Sequence, residues 1–118
     1  MEEAARAGVE AFMVTSGNLV TASFTRSAAL ALRYGLPTIG FERAFPEAGG
    51  LMSHGAEPLA IYRRSAYYVD RIMKGTRPAD LPVELPTLFE LALNRTTAAT
   101  LGVSLPPDLA AQVTKWFD

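Results

Sequence analysis

The stretch GGLMSHG, Gly49–Gly55, holds the only histidine of the chain, His54, directly after Ser53. Serine and histidine together can perform nucleophilic catalysis, in which the imidazole accepts the hydroxyl proton. Neighbouring residues of an extended segment point to opposite sides, however, so Ser53 and His54 alone do not form such a pair. A single His without Cys also lacks the usual ligand set of a metal site. We therefore interpret His54 as a cleft-lining or exposed residue.

Further candidate residues follow two predicted strands, at the position where ligands bind in α/β sheets. Phe41 could stack on a ligand, and Glu42 or Arg43 could pair with its charge. The alternatives are a core aromatic, two solvated charges and, for residues 16–18, a plain turn. The predicted ligand-binding residues are Ser16, Gly17, Asn18, Phe41, Glu42, Ser53 and His54.

Two strands and a helix must position the first of these residues. Val9–Thr15 is mostly apolar and predicts a buried strand. Apolar residues then recur at helical spacing between residues 24 and 32, and Gly35 suits the helix end. Leu36–Phe41 predicts a second strand. Strand, helix and strand with short connections predict a βαβ unit, so the fold class is α/β with a parallel sheet.

The second half of the chain begins with a long helix, predicted over Pro58–Lys74 and ended by Gly75. Its apolar stripe, typical of a buried helix face, consists of Ile61, Ser65, Tyr68, Val69, Ile72 and Met73. Three prolines make Thr76–Thr87 extended. Phe89–Asn94 alternates in polarity and predicts a strand with one buried face. Asn94 suits the N-cap of a helix over residues 95–101. A last helix is predicted to start at Pro106-Pro107.

Composition excludes several classes of function. The chain has 118 residues, 11 basic and 12 acidic side chains and no cysteine. Because the charges of both signs are interspersed, the sequence has no basic patch that would indicate nucleic-acid binding. The absence of Cys excludes thiol chemistry, disulfides and Cys-bound zinc. No apolar run is long enough for a membrane span, and the acidic N-terminus lacks a signal-peptide pattern. We therefore expect a cytoplasmic protein if the chain is a complete gene product.

The order of the motifs closely resembles the C-terminal part of the ABC transporter substrate-binding protein family, which has a periplasmic-binding-protein type I fold. The similarity extends over nearly the whole chain. The residues that carry it are Gly49–Ser53, Ile72–Gly75, Pro78–Val83, Pro86-Thr87, Phe89–Leu91, Asn94, Thr97-Ala98, Leu101-Gly102 and Pro106-Pro107.

This resemblance implies a two-lobe architecture of which the chain is a C-terminal fragment. It places residues 1–48 in the C-terminal lobe, residues 49–57 in a hinge crossing, residues 58–75 in a helix of the other lobe and residues 88–118 in the returning strand and last helices. It implies a non-catalytic, periplasmic receptor without cofactor or metal that binds a small polar or aromatic molecule, such as an amino acid, and delivers it to an ABC permease.

Truncation would leave the stripe of the long helix exposed, at Ile61, Val69 and Ile72, and apolar surface of that size usually finds a partner. We therefore predict a homodimer, formed by exchange of the helix or of the returning strand. Two alternatives stay open: a ligand-sensing regulatory module of the same fold, and a small α/β enzyme that uses His54 as a base.

Overall fold

The computed structural model describes residues 2–15, 17 and 21–118, and the predicted site residues Ser16 and Asn18 lie outside them. The chain divides into two compact units: unit 1 contains Met1–Gly55 and Glu90–Asp118, and unit 2 contains Ala56–Phe89. The described strands form one five-stranded sheet in the spatial order β1-β2-β3-β4-β5. Their bounds are Phe12–Met13 (β1), Thr38–Gly40 (β2), Met52–Ala56 (β3), Phe89–Asn94 (β4) and Lys115–Phe117 (β5).

The described helices are short except for one. Their bounds are Glu2–Arg6 (α1), Phe24–Arg33 (α2), Ala44–Glu47 (α3), Pro58–Met73 (α4), Arg95–Leu101 (α5) and Pro107–Ala110 (α6), with a 3₁₀ turn at Pro78–Asp80. Among these helices, none combines the length and the apolar character that a membrane span requires. The sequence patterns predict neither α1 nor β5.

The predicted βαβ unit is confirmed: β1 pairs parallel with β2, which pairs parallel with β3. β4 pairs parallel with β5. The first two strands are shorter than predicted, because among the described strands β1 lies at the edge beside β2 alone, and β2 itself has three residues. The ladder therefore ends well short of the predicted span Val9–Thr15.

β3 and β4 run antiparallel. The N–H of Asn94, at the end of β4, donates to the carbonyl of Leu51 just before β3, at 2.9 Å. The N–H of Glu57, just after β3, donates to the carbonyl of Leu88 just before β4, also at 2.9 Å. The end of each strand thus lies beside the start of the other.

Phe45 is the centre of the first hydrophobic cluster of unit 1, and its side chain is fully buried. Its ring meets that of Phe24 edge-to-face, with 5.3 Å between the ring centroids. The backbone of Gly50 lies against the same ring, so that a Cβ at residue 50 would come within 2.3 Å of Phe45 Cε1. Phe45 therefore fills space that only a glycine at residue 50 leaves free.

The second cluster joins Leu51, Leu93 and Ala98 and receives Trp116 at its margin. Leu91, Ala92, Leu93 and Asn94 are all buried. The prediction that this strand buries only one of its faces is therefore wrong. The physical reason is that β4 lies inside the sheet between β3 and β5, where side chains of both faces are covered.

The predicted cap of α5 is confirmed. The side-chain oxygen of Asn94 accepts a hydrogen bond from the N–H of Thr97 at 2.8 Å, and Gly102 ends the helix in the left-handed region, with φ 67°. The Asn94 amide also donates to the carbonyl of Pro46 at 3.0 Å. One buried side chain therefore joins the start of α5 to the short helix α3.

Replacing Asn94 with alanine is expected to lower the free energy of unfolding by about 2 kcal/mol, because it removes a helix cap and a buried hydrogen bond to the Pro46 carbonyl. Urea unfolding followed by circular dichroism measures this change. The control is Thr100→Ala, an exposed position of the same helix, where the change should stay within about 0.5 kcal/mol. Equal effects of the two substitutions would contradict this role of Asn94.

Unit 2 consists of α4 and the extended segment after it. The carboxylate of Glu57 caps α4 by accepting from the N–H groups of Leu59 and Ala60, at 3.0 and 2.6 Å. No residue between 56 and 89, all of which are described, is buried. The interpretation of the apolar stripe of α4, from Ile61 to Met73, as a buried face is therefore wrong for this chain, whereas the predicted exposure of Ile61, Val69 and Ile72 is confirmed.

Candidate functional site

Three strand ends and two strand starts, those of β4 and β5, lie toward one edge of the sheet. Because β1, β2 and β3 are parallel, their carboxyl ends share that edge, and the antiparallel β4 begins there. The chain leaves unit 1 after Gly55 and re-enters it at Glu90, at this same edge. Open α/β sheets bind ligands outside the carboxyl ends of their strands. We call this region the carboxyl edge.

Gly55 and Phe41 bring two strand ends into close contact at the carboxyl edge. A Cβ at residue 55 would come within 1.9 Å of the carbonyl oxygen of Phe41, so only glycine permits this approach. The Phe41 ring is half-buried and meets Phe24 edge-to-face, with 6.1 Å between the centroids. The backbone at the end of β2 is therefore held from one side by the core and from the other by Gly55.

Charged side chains lie at the same edge. Glu42 is half-buried directly after Phe41. Arg43 Nη1 lies 3.6 Å from Glu90 Oε2, and the Glu90 side chain is only 17% exposed. This ion pair joins the loop after β2 to the start of β4 and places both signs of charge at the carboxyl edge.

Ser53 and His54 lie on opposite faces of β3, as the alternation of a strand predicts. Ser53 pairs with Gly40 in the sheet register and is 1% exposed, whereas His54 is exposed. A hydroxyl buried on one face and an imidazole on the other do not form a nucleophile–base pair. Among the described residues there is also no group of three or more potential metal ligands of the His, Cys, Asp and Glu types.

The structure thus gathers three of the predicted residues, Phe41, Glu42 and His54, at the carboxyl edge, with Ser53 beneath it. Gly17 follows β1, and its carbonyl accepts from the N–H of Thr21 at 2.9 Å. Sequence reasoning missed two contributors, Gly55 and Glu90. Gly55 belongs to the glycine-flanked segment around His54, and this pattern could have identified it as a position that requires glycine. Glu90 is a charged residue in an otherwise apolar strand, which is a weaker indication of a functional role.

Unit 2 has a groove of its own, with a volume of about 720 Å³, between α4 and residues 82–88. Arg64 organises it: its guanidinium lies 4.0 Å from the centroid of the Tyr67 ring, and its Nε donates to Glu84 at 2.6 Å. This contact lowers the pKa of Glu84 and raises that of Arg64. Tyr68 donates to the carbonyl of Pro82 at 2.8 Å. Arg64 therefore joins α4 to the extended segment of unit 2.

Solved structures resemble this fold. A conserved domain protein from Vibrio cholerae O1 biovar El Tor superposes with a TM-score of 0.87 and 24% identity over 98% of this chain and 38% of its own. An ABC domain in complex with L-Trp from Streptococcus pneumoniae superposes with a TM-score of 0.84 and 21% identity, over 98% and 41%. A ligand-free, open substrate-binding protein with adhesive properties from Clostridium difficile gives 0.67 and 19%, over 97% and 40%.

The chain therefore spans about two fifths of the length of each of these proteins. They confirm the predicted fold class, that of a periplasmic-binding-protein domain. No curated protein is significantly similar to the chain. The sequence model described as ABC transporter substrate binding protein matches residues 1–116. The chain belongs to the ABC transporter substrate-binding protein family.

Proposed function

We propose that this chain is part of a non-catalytic solute-binding component of an ABC-type import system, which binds a small polar or aromatic molecule such as an amino acid. The family match over residues 1–116 carries this proposal. The complex of the streptococcal relative with L-Trp supports an aromatic amino acid as the first probe. A family whose members bind solutes gives no reason to assign a reaction to His54, so the enzyme alternative is disfavoured.

The proposed binding surface is the carboxyl edge of unit 1. Glu42 would receive the ammonium group of an amino acid, and His54 and Phe41 would contact the rest of the ligand. Ser53, which is 1% exposed, would support β3 from beneath. Residues 16–18, Ser16, Gly17 and Asn18, would complete the surface after β1. A carboxylate that is half-buried before the ligand arrives loses less hydration on binding than an exposed one.

The lobe assignment remains part of the proposal. Residues 1–48 would belong to the C-terminal lobe, residues 49–57 would form a hinge crossing, residues 58–75 would belong to the other lobe, and residues 88–118 would return. The division of the chain into units at Gly55 and Glu90 supports these boundaries. The receptor would act in the periplasm and deliver its ligand to an ABC permease.

Native mass spectrometry of gently purified protein, followed by calorimetric titration with L-tryptophan and the other amino acids, tests the binding role. We expect a bound small molecule or a saturable titration. Glu42→Gln and His54→Ala should each weaken binding by roughly 10-fold, the loss typical of one hydrogen bond to a charged group.

The matched control is Glu47→Gln, an exposed carboxylate of α3 outside the proposed surface, which should leave the affinity unchanged. If the protein carries no added mass and no amino acid binds at millimolar concentration, the proposed function is wrong. If binding occurs but Glu42→Gln and Glu47→Gln weaken it equally, the ligand binds elsewhere than the carboxyl edge.

A further inference from the structure

The ion pair between Arg43 and Glu90 crosses the end of β3 at the carboxyl edge. Arg43 follows β2, Glu90 lies near the start of β4, and β3 is the strand between β2 and β4. The two hydrogen bonds that join β3 to β4 are equally spaced along both strands, which places Gly55 opposite Glu90 in the register. Opposite residues of a sheet point to the same face, and a glycine adds no side chain to that face. Arg43 can therefore reach Glu90 across β3.

Glu90 attracts the guanidinium of Arg43 without using its hydrogen-bond donors. The distance of 3.6 Å between Arg43 Nη1 and Glu90 Oε2 exceeds that of a hydrogen bond. By contrast, Nε and Nη2 of Arg77 donate to both oxygens of Asp80, at 2.9 and 3.1 Å. Among the described residues, none accepts a hydrogen bond from the Arg43 side chain. Its planar set of N–H groups is therefore available to a carboxylate that does not belong to the chain.

The two members of the ion pair differ in exposure. The side chain of Glu90 is 17% exposed, whereas that of Arg43 is 51% exposed. The carboxylate thus lies on the inner side of the pair and the guanidinium on the outer side. A carboxylate with so little access to water favours a fixed position of its cation, because separating them would leave its charge poorly compensated. Glu90 is therefore suited to position Arg43, and the outer side of Arg43 is suited to contact a ligand.

We propose that Arg43 receives the carboxylate of the ligand and that Glu90 positions Arg43 for this contact, so that the carboxyl edge selects amino acids over amines. This inference rests on the proposed function, in which Glu42 receives the ammonium group of the same ligand. The ammonium and carboxylate groups of an α-amino acid are attached to one carbon atom, and the adjacent residues 42 and 43 offer the two complementary charges. A guanidinium can bind a carboxylate through two parallel N–H···O hydrogen bonds.

The charges of the carboxyl edge also define the competing explanation, in which Arg43 only neutralises Glu90. The charge of Glu42 then remains, and it favours a cationic amine. Tryptamine, which is L-tryptophan without its carboxyl group, should in that case bind at least as tightly as L-tryptophan. If Arg43 binds the carboxylate, we expect L-tryptophan to bind at least about 10-fold more tightly than tryptamine. Calorimetric titration of the unmodified chain with both compounds, and with any other amino acid that binds and its corresponding amine, measures this preference.

Variants of the ion pair separate ligand contact from a structural role. Arg43→Gln should weaken the binding of L-tryptophan at least about 10-fold without weakening that of tryptamine, and Arg43→Lys should recover part of the loss. Glu90→Gln should weaken the binding of L-tryptophan about 3- to 10-fold, but should have no further effect in the Arg43→Gln background. The matched control is Arg33→Gln, at an exposed arginine in the last turn of α2, where β2 begins. It should leave both affinities unchanged, and circular dichroism checks the fold of every variant.

Equal affinity for tryptamine and L-tryptophan overturns this inference, and so does an Arg43→Gln variant that loses both ligands. A bound solute without a carboxylate group overturns it as well. In these three cases the proposed solute-binding function stands. Additive effects of Arg43→Gln and Glu90→Gln would contradict the positioning role of Glu90. If the protein carries no solute and binds no amino acid, the proposed function is wrong and this inference fails with it.

Discussion

Gly55→Ala is expected to lower the free energy of unfolding by about 3 kcal/mol or more, a large effect for one methyl group. The added Cβ would lie 1.9 Å from the carbonyl oxygen of Phe41. Neither atom belongs to a flexible side chain, so β2 and β3 have to move apart, and the Phe41 contact with Phe24 is disturbed as well. Chemical denaturation measures the change in stability, and amino-acid titration measures the accompanying loss of affinity at the carboxyl edge.

The control for this prediction is Gly8→Ala, because it separates backbone strain from steric overlap. Gly8 has a φ of 74°, and a Cβ there would have nothing within 4 Å. An alanine in that left-handed conformation costs only about 1–2 kcal/mol. If Gly55→Ala proves no more destabilising than Gly8→Ala, the close approach at the carboxyl edge is not what requires the glycine.

Phe45→Ala is expected to destabilise the protein by about 3–5 kcal/mol, the range for truncation of a fully buried phenylalanine. The cavity would be bounded by the backbone at Gly40 and Gly50 and by the ring of Phe24. Because glycine has no side chain to move into the space, little relaxation can offset the loss. Urea unfolding monitored by near-ultraviolet and far-ultraviolet circular dichroism measures it.

The same packing predicts strong coupling between residues 45 and 50. Gly50→Ala alone places a Cβ 2.3 Å from Phe45 Cε1, and Phe45→Leu alone removes ring atoms at that place. The double variant should therefore be more stable than the sum of the single changes, by at least about 1 kcal/mol. Phe45→Leu combined with Gly8→Ala serves as the distant pair and should be additive. Additivity in both cycles would show that the packing of the Phe45 ring does not require a glycine at residue 50.

Local patterns predicted much of unit 1. The helical spacing from Phe24 onward, Gly35 after the helix, the cap by Asn94 and the end at Gly102 are all properties of a few neighbouring residues, and all are confirmed. The strand lengths and the double-sided burial of β4 depend instead on neighbours that are distant in sequence. A short strand such as β5 has too few residues for a recognisable period, so the interior position of β4 was not predictable.

In the candidate site, too, local sequence patterns predicted some features, whereas features that depend on distant residues were not predictable. The rule that ligands bind beyond strand ends placed Phe41 and Glu42 at this edge, and the glycine-flanked segment singled out His54. The rule could not predict the ion pair between Arg43 and Glu90, because their proximity results from the antiparallel pairing of β3 with β4. Periodicity likewise identified the apolar face of α4, but the spacing of apolar residues carries no information about what covers them.

The glycines around His54 prove to have three separate causes, which their spacing alone could not distinguish. Gly49 adopts a φ of 99°, which a side chain strongly disfavours. Gly50 makes room for the Phe45 ring, and Gly55 makes room for the Phe41 carbonyl. Substitutions at these three positions would therefore affect a turn, the core and the carboxyl edge, respectively.

The antiparallel pairing of β3 with β4 also makes unit 2 a topological insertion. Antiparallel neighbours can be joined by a two-residue β-turn, and the hydrogen bond from Glu57 to Leu88 closes the ladder at this end like the last rung of a hairpin. Residues 58–87 thus occupy the place of a hairpin tip. The sheet of unit 1 does not need them for its connectivity, so this part of the chain can vary in length and sequence while the strands on either side keep their register.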